Sequence, residues 1–276
     1  MTEAGTLGAL ARRARMGLPL QGLRIVDCHA HLGPLGLMHV REPDADQIVA
    51  LLDRLGIEAC CPSANVAIGS DYRWGNDLVA EAMLRHPGRI LGYIVVNPNY
   101  AEDVLPEIER CLARAPFIGL KFHPAWHDYP PDGPNYGPAL VCAHERGLVV
   151  LSHSWGSARY LERVSCRFPG ASFIQAHTAA GWKGRVPVDY FEVARRRHNV
   201  YLDTALSLAW YGAFERLIEE AGSENVVFGT DCPFEDPALA LGRVVFARLS
   251  DAVKERILGL NMLEVLARRG QRSSLT

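Results

Sequence analysis

The chain has 276 residues, 49% of them hydrophobic, and a formal net charge of −2 at pH 7. That is enough apolar material for one large core or two small ones, and the near balance of charge excludes the basic footprint of a nucleic-acid binder or of a protein drawn to an anionic membrane. No apolar run approaches the roughly 20 residues that cross a bilayer, so a small molecule is the expected partner.

Seven cysteines, at 28, 60, 61, 111, 142, 166 and 232, show no CxxC spacing and lie scattered through apolar runs. They suggest neither a disulfide framework nor a zinc finger, and a reducing, cytoplasmic setting is the expectation. Residues 1–22 carry Arg12, Arg13 and Arg15 with no continuous apolar segment after them. They read as a short helical or frayed arm rather than a signal peptide, which leaves 23–276 as a single domain.

The first strand is expected over 25–31, where Ile-Val-Asp-Cys-His-Ala-His ends in two histidines. Alternation along a strand puts Asp27, His29 and His31 on one face and Cys28 and Ala30 on the other. Two imidazoles one pleat apart can reach one ion at roughly 2.0–2.1 Å; the bland alternative is a polar strand end with two solvated histidines. A Gly/Pro loop follows, then a helix over 44–55 with Ile48, Leu51, Leu52 and Leu55 on one face. A short strand at 57–62 stops at proline, a long loop holds Asn65, Tyr72, Arg73 and Trp74, and a helix runs over 76–86 to Pro87-Gly88.

The stretch 90–96 is apolar on both faces, as in a strand covered on both sides. A helix at 102–114 leads to the strand 117–123, and the Pro-rich, Gly-rich and aromatic loop 124–138 is too long for a plain connector. Helices at 139–146, 157–168, 188–198 and 212–221 then alternate with strands at 148–153, 172–177, 200–205 and 226–231. Two helical segments, 237–249 and 251–269, close the chain. Eight strands alternating with eight helices is the count of an α/β (β/α)8 barrel, the TIM barrel. A doubly wound open sheet competes, but no GxGxxG or GxxxxGK[ST] follows any strand.

On a barrel the carboxyl ends of the strands share one rim. His29 and His31, Lys121 and His123, His153, His177 and Asp231 all stand at such ends, and unrelated histidines would not fall there so regularly. Imidazole and carboxylate ligands without thiolate suit Zn²⁺ best, with Fe²⁺, Mn²⁺ or another divalent ion possible. Three or four protein ligands leave room for a water whose pKa the ion lowers from about 15.7 toward roughly 7.

Asp27-x-His29-x-His31, Gly119-Leu-Lys-Phe-His-Pro124, the strand-end His153 and His177, Gly229-Thr-Asp231 and Ile257-Leu-Gly-Leu-Asn261 together resemble the amidohydrolase superfamily. The pattern is most similar to its amidohydrolase-related branch, which holds aminocarboxymuconate-semialdehyde decarboxylase and many hydrolases, and it covers residues 23–269. The resemblance implies a metal-dependent hydrolase-type barrel in which His29, His31, His153 and Asp231 bind one divalent metal. It also implies that His177 is the acid/base beside the metal-bound water, with Asp231 able to share the proton transfer. In two-metal members a carboxylated strand-four lysine bridges the ions, which would be Lys121; the overall pattern is closer to the one-metal branch. Lys121 or His123 then hydrogen-bonds substrate or the bound water, against the bland reading of an inward lysine paired with Asp27.

The loops carry Tyr72, Trp74, Trp126, His127, Tyr129, Trp155, Trp182, Arg185 and Phe234. Aromatic walls with few polar groups suit a flat or partly apolar ligand, so Trp126 and Trp155 are expected to line the pocket, and Arg185, with Arg73 or Lys183, to meet a carboxylate.

The leading expectation is a metal-dependent hydrolase of an ester, lactone or amide. The second is a lyase, a non-oxidative decarboxylase of an unsaturated or aromatic acid; the third is a catalytically silent barrel. Short loops after most strands lean toward hydrolysis, and a homodimer is the commonest assembly for such a protein.

Overall fold

Eight strands set the architecture of the computed structural model, which describes residues 8–20, 22–36, 39–41, 44–178, 188–205 and 211–273. They are β1 (Val26–Leu32), β2 (Ala59–Ala64), β3 (Tyr93–Val95), β4 (Gly119–Phe122), β5 (Val149–Ser152), β6 (Ser172–Gln175), β7 (Val200–Asp203) and β8 (Val226–Val227). Every pairing is parallel, β1 with β2 and then β3 through β8 in sequence order. Two seams close the ring. Cys60 bridges Ile90 ahead of β3, and Ala30 bridges Cys232 after β8, with Cys28 N–H donating to Phe228 O at 2.8 Å and His31 N–H to Cys232 O at 2.6 Å. The result is the (β/α)8 barrel that the alternation of strands and helices implied.

Around the ring lie α1 (Ala9–Arg15), α2 (Ala45–Leu55), α3 (Asn65–Gly69), α4 (Tyr72–Arg85), α5 (Val104–Arg114), α6 (Pro124–His127), α7 (Gly137–Arg146), α8 (Ala158–Arg167), α9 (Val188–Arg196), α10 (Ala213–Ala221) and α11 (Pro237–Phe246). Then α12 (Asp251–Glu255) passes through a π-helical turn, Arg256–Leu260, into α13 (Asn261–Ser273). Side-chain caps fix several starts: Asp44 accepts from Gln47 N–H and Ser157 from Tyr160 N–H. Asp71 accepts from Trp74 N–H, so α4 begins four residues earlier than its apolar spacing announced. The 124–138 segment contains α6 and a 3₁₀ turn at Pro134–Tyr136 rather than open loop.

Apolar side chains divide into two shells. Inside the ring Val26, Cys28, Tyr93, Leu151, Ile174 and Val227 pack together; between strands and helices Ile48, Val79, Ile108, Phe122, Leu161 and Leu217 belong to the larger cluster. The register of β1 against β2 shifts between Asp27 and Ala30. Since Val26 and Cys28 both belong to the inner cluster, the regular alternation expected over 27–31 is interrupted where the histidines begin. Among the described residues no helix is long and apolar enough to cross a membrane.

Candidate functional site

The site is built where β1 meets the chain leaving β8. Asp27, fully buried, accepts from Thr230 Oγ1 at 2.5 Å, from Thr230 N–H at 3.1 Å and from His29 N–H at 3.0 Å. This strap holds Thr230 beside the histidine pair and so delivers Asp231, whose own N–H bonds His29 O at 2.8 Å. Burial pushes the Asp27 carboxyl up to about 7 against those donors. Lys121 does not pair with Asp27; its Nζ lies 2.7 Å from His29 Nε2.

His29, His31 and Asp231 converge, with one ligand atom from each lying within 4.8 Å of the others. Asp231 Oδ1 is 3.1 Å from His31 Nε2 and 3.5 Å from His29 Nε2. Two ligands bonded tetrahedrally to one ion at 2.0–2.1 Å stand roughly 3.4 Å apart, so the spacing is that of neighbouring corners of a coordination shell. The protonation states agree. Burial, with Lys121 next in weight, holds His29 well below the usual imidazole range, and burial lowers His31 although Asp231 opposes it. Burial would raise the Asp231 carboxyl, but hydrogen bonding to His31 and the surrounding histidines and Lys121 bring it below the usual carboxylate range. Neutral imidazoles and an ionised carboxylate are the forms that ligate a cation.

His153 stands outside this tight group. Its ring stacks on His123 with centroids 4.1 Å apart and meets His177 edge-on at 4.8 Å, while His177 lies 5.0 Å from the His29 ring. Burial and neighbouring His177 press His153 down to about 3, and burial drives His123 lower still. The five histidines therefore share one mouth, with His29 and His153 against His177 rather than all five around one point. His177 is held by a bond between its Nδ1 and Ala205 O at 3.1 Å, which needs the proton on Nδ1 and leaves Nε2 as an acceptor. Both His177 (φ +58°) and Asp231 (φ +63°) adopt left-handed backbone. That conformation is uncommon outside glycine and tends to mark functional sites.

The aromatic residues fare unequally. Trp126 is 42% exposed at the rim, its ring 5.8 Å from His123. Trp155, expected on the pocket wall, is instead 1% exposed in the core. Its indole N–H donates to Ile174 O at 3.2 Å and its backbone N–H to Gln175 Oε1 at 3.3 Å, which ties it to β6, and its ring packs on Phe122 and Phe173. Trp182, Lys183 and Arg185 lie outside the described residues. Asp203, at the end of β7, escaped the sequence reading although it is fully buried and 2.7 Å from His29 Nδ1. The expected strand runs to 205, so Asp203 does not stand at its end as the histidines do, and a lone acid within an apolar strand was the one available signal.

A ring of parallel strands with a His–His–Asp cluster at its carboxyl rim defines the class of metal-site (β/α)8 barrels. Within that class the chain belongs to the amidohydrolase family, whose sequence model matches residues 26–268. Similar solved structures include 5-carboxyvanillate decarboxylase from Sphingomonas paucimobilis, at 18% identity over 89% of this chain and 99% of the other, with a TM-score of 0.67. A dihydroxybenzoic acid decarboxylase from Polaromonas with bound manganese and the inhibitor 2-nitroresorcinol is 19% identical over 89% and 97%, TM-score 0.64. An uncharacterised TIM-barrel protein from Bordetella bronchiseptica is 16% identical over 90% and 100%, TM-score 0.72. No curated protein sequence matches the chain.

Proposed function

We propose that the chain is a metal-dependent lyase, a non-oxidative decarboxylase of a small unsaturated or aromatic carboxylic acid. The observation that carries this is the convergence of His29, His31 and Asp231 within 4.8 Å beside a half-buried His177. The family supports metal dependence, and the barrels it resembles include decarboxylases of carboxyvanillate and dihydroxybenzoate, one of them with bound manganese. A divalent cation held by His29, His31 and Asp231, with His153 next to the cluster, supplies Lewis-acid anchoring of an oxygen-rich substrate. Zn²⁺ and Mn²⁺ both accept this nitrogen and oxygen set.

The remaining chemistry belongs to the chain's own groups. The bond from the substrate carbon to its carboxylate breaks, the electron pair stays on that carbon, a proton from a mouth residue replaces the carboxyl group and carbon dioxide leaves. His177 Nε2 faces the mouth as an acceptor, suited to take the proton of a substrate hydroxyl and return it to carbon. Trp126 offers an aromatic face at the rim for a flat ligand, and Lys121 keeps positive charge in the site.

The same Nε2 acceptor favours a second reading, hydrolysis of an ester, lactone or amide, in which His177 removes a proton from water. Incubating cation-loaded protein with panels of aromatic acids, unsaturated acids, esters and lactones decides between them. Carbon dioxide release supports the lyase, and acid release without it supports the hydrolase. Cation bound with no turnover in any panel leaves a silent barrel.

A further inference from the structure

We infer that Asp203 is the positioning residue of the site: one carboxylate fixes the tautomer of His29 through Oδ2 and the backbone of His177 through Oδ1, and so couples cation uptake to placement of the acid/base. The inference rests on the metal-site reading given above and deepens it.

Asp203 is fully buried. Oδ2 lies 2.7 Å from His29 Nδ1, while Oδ1 accepts the N–H of His177 at 2.6 Å and that of Ala205 at 3.2 Å. With Oδ1 taken by two backbone N–H groups, Oδ2 is left as the acceptor for a proton on His29 Nδ1, which puts the Nε2 lone pair on the side of Lys121 and Asp231, where a cation would be bound. A second neighbour reads the same tautomer. The Lys121 ammonium, which only donates, sits 2.7 Å from that Nε2. Burial raises the Asp203 carboxyl well above the usual carboxylate range against the opposing His177 and Ala205 N–H groups and the Lys121 charge, so the tautomer is read from the donor at Nε2 and not from the charge of the carboxyl. At the other oxygen, the left-handed turn at His177 is clamped on both sides, because the N–H groups of residues 177 and 205 share Oδ1 and the His177 ring bonds Ala205 O. A histidine-orienting carboxylate behind a metal ligand is a common device; here the same group also anchors the backbone of the proton-transfer residue.

Asp203→Asn is the informative change, because an amide has a single acceptor oxygen and cannot serve both ends. With its NH₂ toward His29, the ring proton moves to Nε2 and blocks the ligand atom; with its NH₂ toward residue 177, two backbone N–H groups face a donor. The test records ring-nitrogen ¹⁵N spectra of cation-free wild type and variant, Mn²⁺ and Zn²⁺ dissociation constants by chelator competition, and the kcat and KM of loaded enzyme. We expect His29 as the Nδ1–H tautomer in wild type, about 10- to 100-fold weaker cation binding in Asp203→Asn, and a fall in kcat that exceeds any rise in KM. Asp203→Glu, which keeps two acceptor oxygens, should recover the Nδ1–H signal. An Nε2–H tautomer in cation-free wild type overturns the inference even if the variant does not fold, and so does a folded variant with wild-type tautomer and cation affinity. Wild type that shows the Nδ1–H tautomer yet binds neither cation sinks the metal reading instead, leaving the orienting role of Asp203 standing.

Discussion

At the scale of single residues, substitutions at His177 and His31 test the proposed division between proton transfer and cation holding. His177→Asn should lower turnover by about 10²- to 10⁴-fold with cation content unchanged by elemental analysis; loss of the cation would make His177 a ligand. His31→Ala should weaken cation binding more than His153→Ala, because Asp231 lies 3.1 Å from His31 Nε2 whereas the nearest ring to His153 is His123. The HxH pair, His177 and Asp231 were legible because each closes an apolar strand. Asp203 was not singled out, since the apolar pattern carries the expected strand on to 205 and one acid inside it has no evident role until its partner 174 residues away is placed. Trp155 misled for a related reason. An aromatic two residues beyond a strand-end histidine reads as pocket lining, and only its hydrogen bonds to Gln175 and Ile174 on β6 show it to be core. Trp155→Ala should therefore cost about 3–5 kcal/mol of stability in urea unfolding, and a folded Trp155→Phe should keep its KM.

At the scale of elements, the strand and helix sequence was readable from apolar runs and proline or glycine punctuation, while the edges were not. α4 starts at its Asp71 cap, which outweighs the apolar spacing, and β8 is confined to Val226–Val227 because Phe228 N–H turns to Ile257 O and Gly229 meets the Thr204 hydroxyl in place of a backbone partner on β7. The bulge in β1 had no sequence signature at all; it follows from meeting β2 and the end of β8 at once. Close approach at this seam makes Gly229 a spacer. A methyl group there would stand 3.0 Å from His29 Cβ and 3.2 Å from Ala205 Cβ, tighter than ordinary contact. Gly229→Ala should displace His29 and weaken cation affinity several-fold with a modest loss of stability, read by the same chelator competition and a melting curve.

At the scale of the whole molecule, two linkages set stability. Glu107 on α5, 4% exposed, accepts from Arg110 and from Asn76 on α4, and Asn76 in turn bonds both backbone groups of Val95 on β3. Burial would raise the Glu107 carboxyl, but the bonds from Arg110, Asn76 and Cys111 outweigh it and hold it below the usual glutamate range. A depressed carboxylate contributes stability above its unfolded value and loses it as pH falls through the folded one. Glu107→Gln should thus melt lower than wild type at neutral pH, with the gap closing in acid below about pH 4. Cation binding adds the second linkage: about 2.7 kcal/mol at a hundredfold excess over the dissociation constant, seen as a rise in Tm that Asp231→Asn abolishes. The proximity of His31 and Asp231, 200 residues apart along the chain, has a further consequence during synthesis. The imidazoles leave the ribosome long before their carboxylate, and a metal met early finds only a weak two-nitrogen perch. At the proposed site, durable loading would have to wait for the final seam to zip shut, and retention of the ion would double as a quality mark of completed folding.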